Sequence, residues 1–535
     1  MTICIIPAAG KSSRFQELGK HYPKCVLPYR GRPIIHHIIE NVIAAACGRW
    51  KLRSVVVVAL AEHVDEIRTA CGACHVDIDV IPLDTSGRQG PGRSILEAMK
   101  FIVNKHGAEN CFVHLSDMVL EPSAIDSFYT EATVVPSSCA FSVRRPPDRD
   151  YRRWCAYDWV QQTLIDKPSA AESVRLDAAG AFVLDGLYHF DKKTVGSILS
   201  SVDVSKDSID ELQISELLNA GEVKRHYCSV HDILDFGTVH EYLANKGAPR
   251  SRSFNSVEQR SKHEFVKTSI DAVKLAAEAN IYQNAPSSVK TYFPRVLAYD
   301  GVNAELSMEN IRSVNLRDLY VYIDRSFPTW VQVFTEVLRF NRECASNSPR
   351  KEKTTSFWDF ILTKTKERSI ALNGDPNVRQ FLTEFAATLQ ELKRKGPKDS
   401  FYHGDLHFAN MFYCFSYGDL KLVDPRGEFN GNVMYDVAKL MHSVYGRYDW
   451  IDGELYSVDS NGSTEYYDRG TSAVREAFEF VYRDALESFG YELFMLTASL
   501  FLTMIPLHSH STINQKLYYK EFERLYNKAR EYNNG

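Results

Sequence analysis

Three oxygen-bearing side chains lie close together in the sequence around residue 410. Asp405 and Asn410 are separated by four residues in HGDLHFAN, and Asp424 follows in LVDPRG. The apolar runs MFYCF and LKLV flank a polar turn at Tyr417, which predicts a β-hairpin. Asn410 and Asp424 are equidistant from Tyr417, so antiparallel pairing would bring both to one end of the hairpin. Amide and carboxylate oxygens suit Mg²⁺, and the spacing predicts a metal site beside Asp405.

A second set of residues that could bind phosphate lies at the N-terminus, in IIPAAGKSSRF. The small residues Ala8, Ala9 and Gly10 follow an apolar run and would let a ligand approach the backbone N–H groups closely. Lys11 and Arg14 add positive charge. A tight turn between a strand and a helix would have the same composition, so this loop alone does not decide between structure and binding.

Two carboxylates further along the chain strengthen the binding interpretation. Asp117 ends the apolar run CFVHLSD, and Asp235 follows the second apolar run in HDILD. Carboxylates at the ends of strands emerge at the carboxyl edge of a sheet, where open α/β sheets bind ligands. Lys24, in PKCVLP, adds a cation just after the first loop. This combination predicts Mg²⁺ and a nucleotide phosphate at the edge of the sheet.

The elements that must position these residues form two groups. Up to about residue 245 short β-rich runs alternate with amphipathic stretches, which predicts an α/β domain with a mainly parallel sheet. The predicted strands are 3–7, 54–60, 76–81, 111–116 and 181–190, and the predicted helices include 34–46 and 92–104. The polar segment NKGAPRSRSFNS then indicates a linker, and a helix-rich remainder follows it. We therefore predict two domains, 1–247 and 253–535.

Length, charge and cysteine content restrict the classes of function. The 535 residues are too many for one ordinary core, and a net charge of −5 provides no general attraction to nucleic acid or anionic membranes. The most apolar stretch, 493–507, is shorter than the ~20 residues of a membrane-spanning helix. Eleven cysteines and the lack of a signal-peptide pattern favour reduced thiols and a cytoplasmic location. The expected partners are small-molecule substrates, without nucleic acid or membrane insertion, and homo-oligomerisation is left open.

In the N-terminal half these motifs resemble the superfamily of sugar-nucleotide pyrophosphorylases and CTP:phosphocholine cytidylyltransferases. The matching positions are Ala8, Ala9, Gly10, Arg14, Pro23, Lys24, the pair Lys167-Pro168, and the DFGT…Y phrase at 235–242. The resemblance covers about residues 1–246 and implies a Rossmann-like sheet of the GT-A type. The segments SGRQGPGRS (86–94) and MVLEP depart from many relatives, which leaves the base and the acceptor open.

The same resemblance implies a role for each matched side chain. Asp117 and Asp235 would hold Mg²⁺, and Arg14 and Lys24 would neutralise the triphosphate in catalysis. Lys167 would contact the phosphate of the acceptor. The implied chemistry is attack of a phosphate monoester on the α-phosphorus of a nucleoside triphosphate, with release of pyrophosphate.

In the C-terminal half the HGDLHFAN loop and DPRG resemble the choline kinase and aminoglycoside phosphotransferase family, which implies a bilobal, protein-kinase-like α+β fold. Asp405 would be the catalytic base, and Asn410 and Asp424 would hold a second Mg²⁺. The other residues implied to bind ATP are Lys267, Glu278, Ser253, Asn255 and Glu309. Lys267 with Glu278 could equally be a solvated surface pair. Asp436 is expected to anchor the loop, and Arg426 could contact an acidic substrate or pair with Glu428.

Together the two resemblances predict a bifunctional enzyme. One half would phosphorylate a choline-like small alcohol with ATP, and the other would couple the phosphate ester to a nucleoside triphosphate, preferably CTP. The product would be a precursor of a surface polysaccharide or lipid. An anomeric sugar kinase fused to an NDP-sugar pyrophosphorylase is a close alternative, and an inactive regulatory half or an antibiotic phosphotransferase are further ones.

Overall fold

A computed structural model contains all 535 residues. It divides into two compact units, Met1–Lys246 and Gly247–Gly535. The structure describes every residue except 11, 13–14, 16–22, 31, 48–49, 72–73, 75, 84–89, 135–138, 147–148, 162, 203–211, 220–224, 231–232, 239–240, 243–244, 246–254, 262, 312, 323–325, 348–355, 416, 427–429, 454, 459–463, 467–471, 510 and 535.

The first unit is an α/β unit. Its strands are β1 (Thr2–Pro7), β2 (Pro28–Tyr29), β3 (Arg32–Pro33), β4 (Leu52–Leu60), β5 (Ile78–Leu83), β6 (Asn110–His114), β7 (Met118–Val119), β8 (Cys139–Arg144), β9 (Cys155–Asp158), β10 (Thr163–Asp166), β11 (Phe182–Phe190), β12 (Arg225–Ser229) and β13 (Leu234–Asp235). Its helices are α1 (Ile34–Ala46), α2 (Val64–Cys71), α3 (Pro91–His106), α4 (Pro122–Val134), α5 (Ala170–Ala178), α6 (Lys192–Ser201) and α7 (Ile214–Asn219). Strands and helices alternate along most of its length, as the sequence predicts.

The main sheet of this unit is mixed, so the prediction of a mainly parallel sheet is wrong. Its order is β10-β9-β11-β6-β1-β4-β5, and β8 and β12 extend it beside β11. The pairs β1–β4, β1–β6 and β4–β5 are parallel, whereas β11 runs antiparallel to β6, β8 and β9. The chain reverses at the antiparallel β9–β10 pair, and β11, which is also antiparallel to β9, runs in the same direction as β10. β1 is fully buried and β6 is buried except at Asn110, so both strands support the loops that follow them.

The second unit begins with a small antiparallel sheet and continues mainly as helices. Its strands are β14 (Asn255–Ser261), β15 (Glu264–Ser269), β16 (Val296–Asp300), β17 (Glu305–Glu309), β18 (Met411–Cys414), β19 (Asp419–Leu422), β20 (Tyr456–Val458) and β21 (Thr464–Tyr466). Its helices are α8 (Ala272–Asn284), α9 (Ser287–Lys290), α10 (Leu316–Tyr322), α11 (Phe327–Ser346), α12 (Phe357–Arg368), α13 (Pro376–Lys395), α14 (Val433–Val444), α15 (Tyr448–Asp452), α16 (Ser472–Val481), α17 (Arg483–Met504) and α18 (Thr512–Asn534). The small sheet has the order β14-β15-β17-β16, and β18 and β19 form the predicted hairpin.

The apolar stretch near the C-terminus belongs to a longer helix than the sequence suggests. The helical segment Arg483–His508 is long and apolar enough to cross a membrane, so the argument from length is wrong. However, 78% of its most apolar window is buried inside the unit. Burial of this kind is what a core helix shows, because apolar side chains on all its faces contact neighbouring helices.

Candidate active sites

The loop after β1 is open to solvent at its tip. The backbone N–H of Ala8 donates to the carbonyl of Val58 (2.8 Å), so Ala8 continues the sheet. Ala9 is half-buried and Gly10 is exposed, and a Cβ placed on Gly10 would meet no atom of the described residues within 4 Å. Among these residues, none covers the backbone of Gly10. Lys11 and Arg14, predicted to bind phosphate, lie outside the described residues.

Lys24, Asp117 and Asp235 come together beside this sheet. The Lys24 Nζ atom lies 2.5 Å from Asp117 Oδ2, and the Lys24 backbone N–H donates to Ser12 Oγ (3.1 Å). Asp235 lies on the short strand β13, which pairs with β7 directly after Asp117. Asp235 ends β13, as the sequence predicts, but among the described strands β13 pairs with β7 and not with the main sheet. The N–H of Phe236 donates to the carbonyl of Asp117 (2.7 Å), which fixes the two carboxylates as neighbours.

Two arginines that were not predicted as site residues contact Asp235. Arg144 and Arg153 place guanidinium nitrogens 3.2 and 3.1 Å from Asp235 Oδ2, and Arg153 also contacts Glu241 (2.5 Å). Both guanidinium groups lie over the ring of Trp154, at 4.8 and 4.5 Å from its centre. In the sequence both arginines belong to the arginine-rich run RRPPDRDYRRW. Such a run is by itself typical of a solvated loop, so it does not indicate a binding site.

The acidic groups at this site suit a divalent cation. Burial raises the pKa of Asp235, and the nearby carboxylates of Glu241 and Asp117 raise it further. Grouped carboxylates repel one another, and a bound cation removes that repulsion. The donors are all oxygens, as Mg²⁺ requires. The flanking arginines and Lys24 supply the charge that would hold a polyphosphate beside it.

A cavity of about 480 Å³ opens beside the arginines. Its lining residues are Val143, Arg144, Arg145, Phe182, Ser229, Val230 and Ile233. Lys167, predicted to contact the acceptor, is exposed at the end of β10, and its N–H donates to the carbonyl of Trp154 (2.9 Å). The backbone of Lys167 is thus adjacent to the tryptophan that underlies Arg144 and Arg153. Its role toward an acceptor stays a prediction.

In the second unit a buried network joins the small sheet to the β18–β19 hairpin. The Lys267 Nζ atom lies 2.7 Å from Glu278 Oε2 and 2.6 Å from Asp424 Oδ1. Asp424 and Glu278 outweigh the effect of burial and raise the pKa of Lys267, which remains a cation. The side chain of Lys267 is only 6% exposed, so the interpretation as a solvated surface pair is wrong.

Tyr282 completes this network and was not predicted. Its hydroxyl donates to Glu278 Oε1 (3.1 Å) and accepts the backbone N–H of Asp424 (2.9 Å). Asp424 has a φ of +57°, a left-handed conformation that a non-glycine residue adopts only when its surroundings hold it. Tyr282 supplies one such contact. Its position four residues after Glu278 on α8 was the only signal for it in the sequence.

Residues 403–410 form a loop that is held in place by hydrogen bonds to Asp436. Its carboxylate accepts the N–H of His403 and of Gly404, each at 2.7 Å, which agrees with the predicted anchoring role. At the end of the loop Asn410 Nδ2 donates to the carbonyl of Asp405 (2.9 Å). This leaves the amide oxygen of Asn410 for another contact.

The hairpin brings Asn410 and Asp424 to the same end, as the sequence predicts. Met411 pairs with Leu422 in the hairpin register. The N–H of Val423 then donates to the carbonyl of Asn410 (3.0 Å), so Asp424 follows one residue later. An amide oxygen and a carboxylate at adjacent positions form a donor set that suits Mg²⁺.

Asp405 is held in its ionised form. Burial acts to raise its pKa, but Lys439, His407 and Arg426 outweigh burial and hold the pKa well below its usual range. The strongest of these contacts is Lys439, whose Nζ lies 2.8 Å from Asp405 Oδ1. Lys439, which was not predicted, lies on α14, three residues after Asp436.

Of the three other residues predicted to contact ATP, the structure describes two. Glu309 ends β17, and its N–H donates to the carbonyl of Arg295 (2.9 Å). Asn255 begins β14, and Ser253 lies outside the described residues. Contacts of Glu309 and Asn255 with a nucleotide stay predictions.

Comparison with known proteins gives one family match. Residues 4–174 match the family model of the MobA-like NTP transferase domain. No curated protein matches the chain. Similar solved structures include a protein described as a glucose-1-phosphate thymidylyltransferase from Bacillus anthracis, with 20% identity, a TM-score of 0.36 and coverage of 44% of this chain and 91% of that one.

A UDP-glucose pyrophosphorylase from Acinetobacter baumannii is a second similar structure, with 15% identity, a TM-score of 0.35 and coverage of 45% and 91%. At these scores neither structure adds to what the family match shows. The family match covers the loop after β1, Lys24, Asp117 and both arginines of the site, but ends before Asp235. Residues 4–174 of the chain therefore carry a MobA-like NTP transferase domain.

Proposed function

We propose that the chain is a bifunctional enzyme in which the second unit is a small-molecule kinase and the first unit transfers a nucleotidyl group to the kinase's product. The observation that carries the kinase proposal is the contact of buried Lys267 with both Glu278 and Asp424. It joins three predicted ATP-site residues from separate parts of the sequence. A buried cation held by two carboxylates is costly to build for stability alone, which favours a binding role.

In the kinase reaction the acceptor hydroxyl oxygen attacks the γ-phosphorus of ATP. The new O–P bond forms as the bond between the γ-phosphorus and the bridging oxygen breaks, and ADP leaves. Asp405, ionised and next to Lys439, orients the hydroxyl and receives its proton. Lys267 contacts the phosphates of ATP, while Asn410 and Asp424 would hold Mg²⁺, which neutralises charge on the phosphate oxygens when bound.

In the nucleotidyl transfer the phosphate ester attacks the α-phosphorus of a nucleoside triphosphate, and pyrophosphate leaves. An ionised phosphate monoester has no proton that must be removed before it attacks. The protein therefore has to position the two substrates and supply positive charge. Lys24 and the two arginines at Asp235 provide that charge, and the cavity beside Arg144 and Arg145 provides space for the acceptor part. Asp117 and Asp235 would hold the cation.

The two reactions are consecutive by chemistry, because one makes the phosphate ester that the other consumes. We propose CTP as the nucleotide and a small alcohol as the acceptor. The resemblance of the N-terminal motifs to cytidylyltransferases supports CTP, and the resemblance of the C-terminal motifs to kinases of small alcohols supports the class of acceptor. The product would be a nucleotide-activated group for transfer to a surface polysaccharide or lipid.

Paired substitutions in the full chain test the assignment. Asp405→Asn should abolish ATP-dependent phosphorylation of an alcohol panel and leave pyrophosphate release from CTP and a panel of phosphate esters intact. Asp117→Ala should have the opposite effect. Asp419→Asn, at an exposed position on β19, is the matched control and should leave both reactions unchanged. If Asp405→Asn or Asp117→Ala left both activities at the level of the control, the corresponding site would be wrongly assigned.

A further inference from the structure

Three side chains of different metal-ligating types meet in the first unit, where α4 packs against β12. Glu131 lies in the last turn of α4, and His226 and Cys228 are two residues apart on β12. Alternate side chains of a strand point to the same face of the sheet, so this spacing places His226 and Cys228 side by side. A carboxylate oxygen of Glu131, a ring nitrogen of His226 and the sulfur of Cys228 all lie within 4.8 Å of one another. We call these three residues the α4–β12 cluster.

The carboxylate of Glu131 joins the other two members of the α4–β12 cluster. Nε2 of His226 lies 3.1 Å from Glu131 Oε1, and the thiol of Cys228 donates a hydrogen bond to the same carboxylate. Cys228 is fully buried, His226 is half-buried and Glu131 is exposed. The cluster therefore reaches solvent through Glu131, while its sulfur lies inside the unit. An ion from solvent would meet the exposed carboxylate first.

We propose that the α4–β12 cluster binds one zinc ion, with Glu131, His226 and Cys228 as its ligands and a water molecule in the fourth position of a tetrahedron. Carboxylate oxygen, imidazole nitrogen and thiolate sulfur are the ligands that Zn²⁺ takes in proteins, at about 2.0–2.3 Å. Ligand atoms at these bond lengths lie about 3.3–3.8 Å apart in a tetrahedron, so the three side chains have to close by at most about 1.5 Å. Mg²⁺ prefers a set of oxygen ligands, so this site differs in chemistry from the two proposed Mg²⁺ sites.

Charges and protons balance in such a site. Without metal the thiol of Cys228 is protonated, because burial and the charge of Glu131 raise its pKa to about 12. Zinc binding forms the Zn–S bond and releases this proton to solvent, while His226 binds as neutral imidazole through Nε2 with its proton on Nδ1. The charges of the thiolate and the Glu131 carboxylate together balance that of Zn²⁺. The occupied site is therefore neutral, which lowers the cost of holding the ion beside a buried sulfur.

The zinc ion would tie a strand at the margin of the sheet to a helix. β12 pairs with β8, and among the described strands it has no other partner. Side-chain contacts such as those with α4 therefore have to hold its second edge. Ser229 and Val230, which directly follow Cys228, line the cavity beside Arg144. The expected role of the ion is to stabilise the first unit and this wall of the cavity, without taking part in the phosphate chemistry.

The first experiment measures zinc binding by the full chain. The protein is treated with a chelator, freed of it, and titrated with Zn²⁺ in a calorimeter in the presence of excess Mg²⁺, which competes for carboxylate sites. We expect one tightly bound Zn²⁺ per chain and, with Co²⁺ as a spectroscopic probe, a charge-transfer absorption from thiolate to cobalt. Cys228→Ser should abolish this absorption. His226→Gln should weaken zinc binding by more than about 100-fold, since loss of even a supporting residue of a metal site costs about 10- to 100-fold.

Cys47→Ser, at an exposed cysteine, is the matched control and should bind zinc as the wild type does. Circular dichroism checks that each variant is folded, and His226→Gln changes a half-buried position if Cys228→Ser fails to fold. If His226 and Glu131 form only an ion pair beside a buried thiol, the wild type will bind no zinc, and the proposal is overturned. Binding that is unchanged in either folded variant would also overturn it, because the ion would then be held elsewhere.

The second experiment measures the stability that the ion contributes. Zn²⁺ at about 100 times its Kd should raise the unfolding temperature of the first unit in the full chain by about 5–10 °C. The same addition should leave the unfolding temperature of Cys228→Ser unchanged. An equal rise in the wild type and in Cys228→Ser would show that zinc acts at another place and would contradict the assignment.

Discussion

Tyr282→Phe is the sharpest test of the buried network in the second unit, because it removes one oxygen atom and leaves the ring in place. The hydroxyl donates to Glu278 (3.1 Å) and accepts the N–H of Asp424 (2.9 Å). A hydrogen bond to a carboxylate contributes about 1.5–3 kcal/mol, and a bond between neutral groups contributes about 0.5–1.5 kcal/mol. The substitution therefore removes about 2–4.5 kcal/mol of interactions from the network that surrounds Asp424, which has a φ of +57°.

We expect kcat/KM for ATP in the kinase reaction of Tyr282→Phe to fall about 10- to 100-fold. This corresponds to a loss of about 1.4–2.8 kcal/mol of interaction free energy from the transition state. The assay is ADP formation by the full chain with the best acceptor. Nucleotidyl transfer by the same sample is the internal control and should not change. Tyr417→Phe, on a tyrosine that is 80% exposed at the hairpin turn, is the matched variant and should behave as wild type. A Tyr282→Phe enzyme within twofold of wild type would show that the network does not position Asp424 for the reaction.

Three other substitutions test separate contacts. Lys24→Met removes the ammonium group beside Asp117, and it should lower the rate of pyrophosphate release by about 10²- to 10³-fold without changing phosphorylation; equal loss of both reactions would mean general unfolding. Asp436→Asn leaves one loop N–H without its acceptor. Calorimetry should show that the unfolding temperature of the second unit falls by about 4–8 °C. An unchanged unfolding temperature would contradict the anchoring role. Burial raises the pKa of Asp185 from 3.8 to about 7, so its contribution to stability is complete below pH 4 and is lost as the pH rises through about 7. Asp185→Asn removes that contribution, so the free energy of unfolding of the first unit, measured in urea, should depend less on pH between 4 and 7 than in wild type. Identical pH profiles for the two proteins would refute the raised pKa of Asp185.

Local elements follow from local patterns, and several were predicted closely. The helix expected at 34–46 is present as Ile34–Ala46, because its apolar residues recur at helical spacing directly after Pro33. The hairpin register follows from the turn at Tyr417. The direction of β11 could not be predicted in this way, since it depends on pairing with strands that lie tens of residues away. The same applies to β13, which is two residues long and, among the described strands, pairs with β7 alone.

The candidate sites could be predicted where the spacing of their residues is rare in protein sequences. Asp405 with Asn410 gives such a spacing, and the structure brings Lys267 and Glu278 together as expected. Tyr282 and Lys439 were missed because an aromatic residue on a buried helix face and a lysine near a helix centre are common patterns in any core. Only the folded chain shows that they contact Glu278 and Asp405.

The central claim is that the phosphate added by the second unit becomes part of the product of the first. The most direct measurement uses ATP labelled with ¹⁸O in the γ-phosphate, unlabelled CTP, Mg²⁺ and the acceptor, with mass spectrometry of all products. We expect the label in the cytidine-linked product, in the phosphate next to the acceptor, and unlabelled pyrophosphate. Labelled phosphate ester that accumulates without any nucleotide-linked product, for every nucleoside triphosphate supplied in place of CTP, would contradict the proposal that the two units catalyse consecutive reactions.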